Sequence, residues 1–213
     1  MAENICFLWE ALYEVALAAN KPMKKSLDEM TDEERWRLFP IILSPHMPEW
    51  KDNFLKEKTL LEQAIGNYHI VRLNHIGSTA IPGLIAKPTI DILLEIKASA
   101  NIEKLKLNMK SAGYLYNERP ENPPPHLMFI KGYTQDGFKG QVFHVHVRYN
   151  GDWDEPYFRD YLLAHPDIAE EYARLKIELQ KKYKNNRDAY TNAKSDFIKR
   201  ITKLARKEIT VKS

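Results

Sequence analysis

The sequence predicts an α/β fold, with an α/β centre at about residues 50–150 between a helical preface and a helical tail. Three observations carry this. The runs TIDILLEI (89–96) and QVFHVHVR (141–148) alternate apolar and polar residues with the period of a strand. The stretches between strand runs are punctuated by Gly and Pro. Before residue 66 and after residue 151, apolar side chains recur every three or four positions, the period of a helix.

The elements follow in order. In 5–19, Leu8, Leu12, Val15 and Ala19 keep helical spacing, so an amphipathic helix is expected there. Glu10 and Glu14 interrupt it, which argues against a signal peptide or a membrane span. Thr31 followed by Glu34 forms a capping box, so a second helix starts there and stops near Pro40. A third helix is expected over 50–65, with Phe54, Leu61 and Ile65 on its buried stripe and Gly66 as its stop. HIVRLNH (69–75) and TIDILLEI read as strands, the second with Ile90, Ile92, Leu94 and Ile96 on one face. A helix over 101–112 ends at Gly113, and Pro123, Pro124 and Pro125 make a rigid loop. HLMFIK (126–131) and QVFHVHVR are expected to pair antiparallel. A Pro and a capping box at 166–170 open a helix striped by Ile168, Tyr172, Leu175 and Leu179. A last helix runs from about Asp188 with Phe197, Ile201 and Leu204. The chain is expected to form a single compact unit over 1–213, with a preface (1–45), an α/β core (46–150) and an extension (151–213).

Composition narrows the class. The chain has 213 residues and a single Cys, is 44% hydrophobic and 29% charged, and carries a net charge of +3. One Cys cannot make an internal disulfide or a thiolate metal cage, so a cytoplasmic protein without membrane attachment is expected. Cys6, between Ile5 and Phe7, reads as a small core hydrophobe. From Arg174 onward there are 13 Lys/Arg against 4 Asp/Glu, so the tail is +9 and the rest of the chain −6. Such a tail steers phosphates, binds nucleic acid, or is simply a solvated face; no RNA-binding motif favours the second.

The chemistry concentrates between 74 and 96. A strand ends in Gly77-Ser78, where the chain turns. Backbone N–H groups freed at such a turn, with the hydroxyls of Ser78 and Thr79, can hold phosphate. The next strand carries Asp91 inside an otherwise apolar run, where a carboxylate is costly unless it is paired or binds a cation. Phosphate donors beside a metal-binding carboxylate would suit nucleotidyl transfer. A tight turn with an Asp that caps a neighbouring helix is the competing structural reading.

HIGSTAIPGLIAKPTIDI (75–92) resembles the signature of the GrpB family, a branch of the nucleotidyltransferase superfamily. FHVHVR (143–148), YFRDYLLAHPDIAEEYARLK (157–176) and NRDAYTNAKSDFI (186–198) extend the resemblance over roughly 45–205. It implies a small mixed sheet of nucleotidyltransferase type flanked by helices, with a helical C-terminal extension. Family members fused to dephospho-CoA kinase imply a link to nucleotide or coenzyme metabolism. No defined reaction comes with the family.

Active superfamily members place two carboxylates two residues apart on this strand, because about 6.6 Å of rise returns side chains to one face. Asp91 fills the first position, but Leu93 occupies the second and cannot ligate. Glu95 shares the face but lies about 13 Å along the strand from Asp91. On the later strand His144, His146 and Arg148 form the polar face. If that strand neighbours Asp91, then Asp91, His144 and His146 become candidate catalytic residues and ligands for a divalent metal such as Mg²⁺, Mn²⁺ or Zn²⁺. The alternatives are a histidine general base, anion binding by the histidines and Arg148, or mere decoration of the sheet. Gly77, Ser78, Thr79, Lys87, Arg148 and Lys194 are the candidate nucleotide or phosphate contacts. His75 is a candidate to orient the turn, and Arg119 and His126 to line the cleft. Tyr190, Phe197, Trp36, Trp50 and Trp153 read as packing residues, and Arg159 with Asp160 as a helix-cap ion pair. The function expected is that of a nucleotidyltransferase-like protein taking a nucleotide or another phosphorylated small molecule. A binding or interaction module that has lost the paired carboxylates is the alternative. Oligomeric state is not readable.

Overall fold

A computed structural model describes residues 25–66 and 69–212. The expected helix at 5–19 and Cys6 lie outside the described residues. A short 3-10 turn precedes α1 (Asp32–Leu38), whose capping box is formed: Thr31 Oγ1 accepts from the Glu34 N–H, and the Glu34 carboxylate accepts from the Thr31 N–H at 2.8 Å. α2 (Glu49–Ile65) stops at Gly66, whose φ of 87° suits a residue without Cβ. There follow β1 (Ile70–Ile76), β2 (Thr89–Ile96), α3 (Ile102–Ser111), β3 (Leu115–Glu118), β4 (Leu127–Thr134) and β5 (Gly137–Tyr149). The tail holds α4 (Asp154–Ala164), α5 (Pro166–Tyr183), α6 (Arg187–Asn192) and α7 (Ser195–Lys212).

The strands form one mixed sheet in the order β1-β2-β5-β4-β3. β2 and β5 run parallel, and the other neighbouring pairs are antiparallel, including the expected β4–β5 pair. The parallel register sets Ile92 opposite Val145 and Asp91 opposite His144. Because side chains alternate, one face of these two central strands is apolar and the other polar. The apolar face presents Ile90, Ile92, Leu94, Ile96, Phe143, Val145 and Val147 to Trp50, Phe54 and Leu61 of α2 and to Leu105 and Met109 of α3. Burial of each large aliphatic side chain there contributes about 1.5–3 kcal/mol.

The polar face is roofed by the tail helices. A second apolar cluster of Ile81, Leu84, Phe158, Leu162, Tyr172, Phe197 and Ile201 ties those helices to the loop after β1. The preface contacts both parts: the Ser44 N–H donates to the Ala86 carbonyl at 2.8 Å, and the Ile41 N–H to the Lys184 carbonyl at 2.7 Å.

Two expectations need correction. β3 was not foreseen, because its four residues LYNE show little alternation and it is a short edge strand. The single last helix is two, α6 and α7, broken between Asn192 and Ser195. Among the described residues no helix is long and apolar enough to cross a membrane.

Candidate functional site

The β1–β2 connection builds one wall of the site. Gly77 ends β1 with φ 71°, in the left-handed region. A Cβ built there would lie 2.6 Å from Asp91 Oδ2, so only glycine lets the turn approach the carboxylate. Thr79 is buried; its hydroxyl donates to the Thr89 carbonyl at 3.1 Å and meets His75 Nε2 at 3.0 Å. Thr79 therefore locks the turn from inside and cannot reach a phosphate, contrary to the sequence expectation. His75 does orient the turn, stacked on Phe54 with ring centroids 4.8 Å apart. Burial lowers its pKa to about 4.

Parallel pairing of β2 with β5 then assembles a trio. Asp91 Oδ1 lies 3.4 Å from His144 Nδ1 and 3.4 Å from His146 Nε2. Burial opposes ionisation of Asp91, but the hydrogen bonds from His144 and His146 outweigh it and hold the carboxyl well below the usual range. Burial lowers the pKa of His144 to about 4, against the pull of Asp91, so its ring is neutral at pH 7. One ligand atom from each of the three residues lies within 4.8 Å of the others. Zn–N and Zn–O bonds of about 2.0–2.1 Å in a tetrahedral site separate ligand atoms by about 3.3–3.4 Å, which both Asp91–histidine separations match, so these three residues could hold one transition-metal cation. A magnesium pair lacks its second carboxylate. Leu93 is fully buried, and Glu95, also fully buried, is bonded to Arg72 at 2.8 Å and to the Gly151 N–H at 3.2 Å.

The trio lies at the base of a cavity of about 980 Å³, which Gly77, Ser78, Lys87, Lys176, Arg187 and Lys194 also line. Lys176 is buried, donates to Ser78 Oγ at 3.2 Å and also donates to the Ile85 carbonyl. Its pKa is lowered to about 7, by burial and then by repulsion from Lys194. Burial lowers that of Lys194 to about 8, with Asp91 opposing and Arg187 adding to the fall. Lys87 is pushed well below the ordinary lysine value by burial and by Arg187 and Lys194. Lys87 and Lys194 flank the Tyr190 ring, with Nζ 5.6 and 4.5 Å from its centroid. Among the described residues none of these four cations is paired with a carboxylate. The cavity is also lined by Glu121, Asp152, Asp154, Glu155 and Asp188, the first four bonded to arginines, so an anion beside Asp91 would be drawn chiefly by Arg187 and Lys194 and would itself favour the protonated forms of Lys87 and Lys176.

Placement of the sequence candidates is therefore uneven. Gly77, Ser78, Lys87, Asp91, His144, His146, Lys194 and Arg119 line the cavity. Arg148 does not: it is 4% exposed, bonded to the Val147 carbonyl at 2.9 Å and to Glu155 at 3.4 Å, and lies over the Trp153 ring. It shares the polar face of β5 but sits beyond the trio, beneath the start of α4. His126 is exposed, its ring bonded to the Asn122 carbonyl at 2.6 Å. Arg159 reaches both Asp160 and the His75 carbonyl, bracing the end of β1.

Lys176, Arg187 and Tyr133 were not singled out from the sequence. The first two lie in YFRDYLLAHPDIAEEYARLK and NRDAYTNAKSDFI, and Lys176 falls four residues after Tyr172, a charge within a buried stripe. Tyr133 had no such signal, because simple alternation along β4 puts it on the apolar face with Lys131. Irregular pairing between Lys131 and Tyr133, with Gly132 at φ 91°, turns it toward His144. The basic tail is divided: Lys176, Arg187 and Lys194 face the cavity and Arg206 bonds Asp152 and Asp154, while Arg174, Lys181, Lys182, Lys184, Lys199, Arg200, Lys203 and Lys207 are exposed.

Comparison with known proteins agrees with the motifs. A family model described as GrpB protein matches residues 40–204. The glutamate-rich protein GrpB of Alkalihalophilus pseudofirmus is 38% identical over 164 residues, covering 76% of this chain and 93% of that one. A dephospho-CoA kinase of Mycobacterium tuberculosis is 26% identical over 182 residues, which span 44% of its length. The crystal structure of conserved protein GrpB from Enterococcus faecalis aligns with a TM-score of 0.67 at 30% identity, over 79% of this chain and 99% of that chain. The mixed sheet with flanking helices is the nucleotidyltransferase-like α/β arrangement that the motifs imply. On the match of its residues 40–204 and its likeness to these relatives, the chain belongs to the GrpB family.

Proposed function

We propose that this protein acts on a nucleotide or another phosphorylated small molecule, using a single divalent transition-metal ion where the superfamily pattern uses a carboxylate-bound magnesium pair. The observation that carries the reading is the Asp91 carboxylate, 3.4 Å from two imidazoles, in a cavity also lined by four cations that pair with no carboxylate among the described residues. Asp91, His144 and His146 would hold the metal. It would supply Lewis-acid polarisation of a phosphoryl oxygen or an acidified water. Ser78, Lys87, Lys176 and Lys194 would bind the phosphate oxygens, with Arg187, bonded to the Phe39 carbonyl and the Tyr133 hydroxyl, contributing charge, and the bound anion would relieve the mutual repulsion of the lysines. Zn²⁺ or Mn²⁺ suits two imidazoles and one carboxylate better than Mg²⁺, which prefers oxygen ligands.

A second reading is a nucleotide- or anion-binding module without transfer activity. Buried Leu93 at the second carboxylate position and the bonding of Glu95 to Arg72 favour it. Thermal shift with nucleotides, in Mn²⁺, Zn²⁺, Mg²⁺ or chelator, separates the two. Ligand at about 100 times its Kd adds about 2.7 kcal/mol to stability. A metal-dependent shift lost in Asp91→Asn supports the enzyme. A shift indifferent to metal but lost in Lys194→Ala supports the module. No shift with any nucleotide rejects both.

A further inference from the structure

We propose that Tyr133, held by Arg187, is a positioning residue for His144, gripping Nε2 so that Nδ1 is the nitrogen presented beside Asp91. This rests on the metal-site reading above. The Tyr133 hydroxyl lies 2.8 Å from His144 Nε2, and Arg187 Nη2 donates to the same oxygen at 3.1 Å. On the far side of the imidazole, Nδ1 lies 3.4 Å from Asp91. The four groups thus form a line: Arg187, Tyr133, His144, Asp91.

The chemistry of the groups fixes the direction of the bonds. A guanidinium only donates, so one lone pair of the tyrosine oxygen is always taken. A neutral imidazole carries one proton. Without a metal, that proton belongs on Nδ1, where the Asp91 carboxylate accepts it, and the Tyr133 O–H donates to the bare Nε2. With a metal on Nδ1, the proton must move to Nε2, and the tyrosine oxygen accepts it through its second lone pair. A hydroxyl can play both parts; a phenyl ring can play neither. Outer hydrogen bonds of this kind set ring orientation and ligand basicity in histidine metal sites.

The surroundings make the grip rigid. The Tyr133 ring meets Phe39 at 4.9 Å and Phe138 at 5.4 Å between centroids, and the Arg187 guanidinium sits 5.8 Å from its centroid. Arg187 is itself anchored to the Phe39 carbonyl at 3.1 Å. Phe39 belongs to the preface and precedes residue 40, where the family match begins. The last residues of the preface therefore act on the site through this line, which gives them a role beyond closing the core.

The experiment is calorimetric titration of the full chain and of Tyr133→Phe with Zn²⁺ and with Mn²⁺, alongside melting curves and histidine ¹⁵N NMR of the metal-free proteins. Tyr133→Phe keeps the ring packing, so the melting temperature should stay within a few degrees while metal binding weakens about tenfold or more. In the metal-free wild type the His144 Nε2 resonance should report an unprotonated nitrogen accepting a hydrogen bond, and that hydrogen-bond shift should vanish in Tyr133→Phe. Equal metal affinity in the two proteins would overturn the positioning role and leave the metal site standing. A wild type that binds neither metal would overturn the metal site and this proposal with it. A His144 Nε2 resonance that Tyr133→Phe does not move would show that there is no grip.

Discussion

The two faces of the central sheet each meet a buried or half-buried acid, and the two acids are treated differently. On the apolar side, Glu57 of α2 is 5% exposed and held through Oε1: Lys131 donates to it at 2.7 Å and the Tyr114 hydroxyl at 2.9 Å. On the polar side, among the described residues, Asp91 meets two imidazoles at 3.4 Å, while four cations lining the same cavity go without a carboxylate. A structural acid is matched by short charge-assisted bonds, because an unmatched buried charge destabilises the fold. An acid and a group of cations that lie in one cavity without pairing are arranged for something other than stability. Glu57 is held by α2, Tyr114 and Lys131 of β4, whereas Asp91 and its imidazoles stand on β2 and β5, where Glu95, on the same face as Asp91, is a structural acid matched by Arg72.

The sharpest way to break this comparison is a pair of neighbouring substitutions on β2. Ile92→Ala removes a fully buried side chain from the apolar face and should cost about 2–5 kcal/mol of stability. Its metal affinity should stay within about threefold, because the Ile92 side chain lies on the opposite face of the strand from Asp91. Asp91→Asn should do the reverse, with metal binding down about 100-fold or more and a smaller loss of stability than Ile92→Ala. The Asp91 contribution also has a pH signature. Its folded pKa lies below the unfolded value, so the stability it adds is present above about pH 4 and lost as pH falls below it. Urea melts and metal titrations of both variants check this. If Ile92→Ala weakens metal binding as much as Asp91→Asn, the faces are not separable.

Gly77→Ala is expected next in size. A φ of 71° with ψ of −172° is a glycine-only conformation that costs an alanine about 1–3 kcal/mol. The new methyl would also stand 2.6 Å from Asp91 Oδ2, so either the turn or the carboxylate has to move. Metal affinity should fall about tenfold, with a loss of stability that Gly83→Ala, whose Cβ meets nothing within 4 Å, reproduces only in its backbone part. Equal metal affinity in the two alanine variants would mean that the Gly77 approach does not shape the Asp91 site.

Much of this arrangement was legible in the sequence. Alternation in TIDILLEI and QVFHVHVR put Asp91, His144 and His146 on polar faces, and the parallel pairing joined them. Gly77 was legible as a turn residue that permits close backbone approach, and in the structure the group it approaches is the Asp91 carboxylate. What stayed hidden depends on breaks in periodicity. The irregular pairing at Gly132 turns Tyr133 over, and the break between α6 and α7 sets where Lys194 points. Thr79 and Arg148 looked like phosphate donors, but residue type alone does not show whether a hydroxyl or a guanidinium is already bonded to the protein.

A milder effect follows from the cation group. Lys176 and Lys194, lowered to about 7 and about 8, are charged below those values and neutral above them. Affinity for a phosphate monoester, already a dianion above its own pKa of about 6, should therefore be highest near pH 7. It should weaken as pH rises, by up to about tenfold per unit for each lysine that has lost its proton. The ligand-free protein should move the other way. Between pH 7 and the ordinary lysine value the unfolded chain binds more protons than the folded one, so stability rises with pH. Calorimetry from pH 6.5 to 9 checks the slope, and Lys194→Met should flatten it. A flat profile in the wild type would place the phosphate away from these lysines.

The smallest change expected is at Arg148. It extends from the polar face of β5, two residues beyond His146, and by residue type alone it belongs to the site. Its guanidinium is instead directed at Glu155 and the Val147 carbonyl, and burial lowers its pKa against the pull of Glu155. With both terminal nitrogens bonded to the protein and Nε buried, the guanidinium offers little to an anion. Arg148→Lys keeps the charge but loses the planar fork, so the contact with Glu155 and the stacking over Trp153 weaken together, at about 1–3 kcal/mol. Anion affinity should stay within about twofold, because the phosphate would be held by Ser78 and the lysines around the cavity. Melting curves with and without ligand read both quantities in one experiment. A loss of affinity larger than that of Lys194→Met would move the anion site along β5 toward α4, and would make Glu155 rather than Asp91 the acid that the cations face.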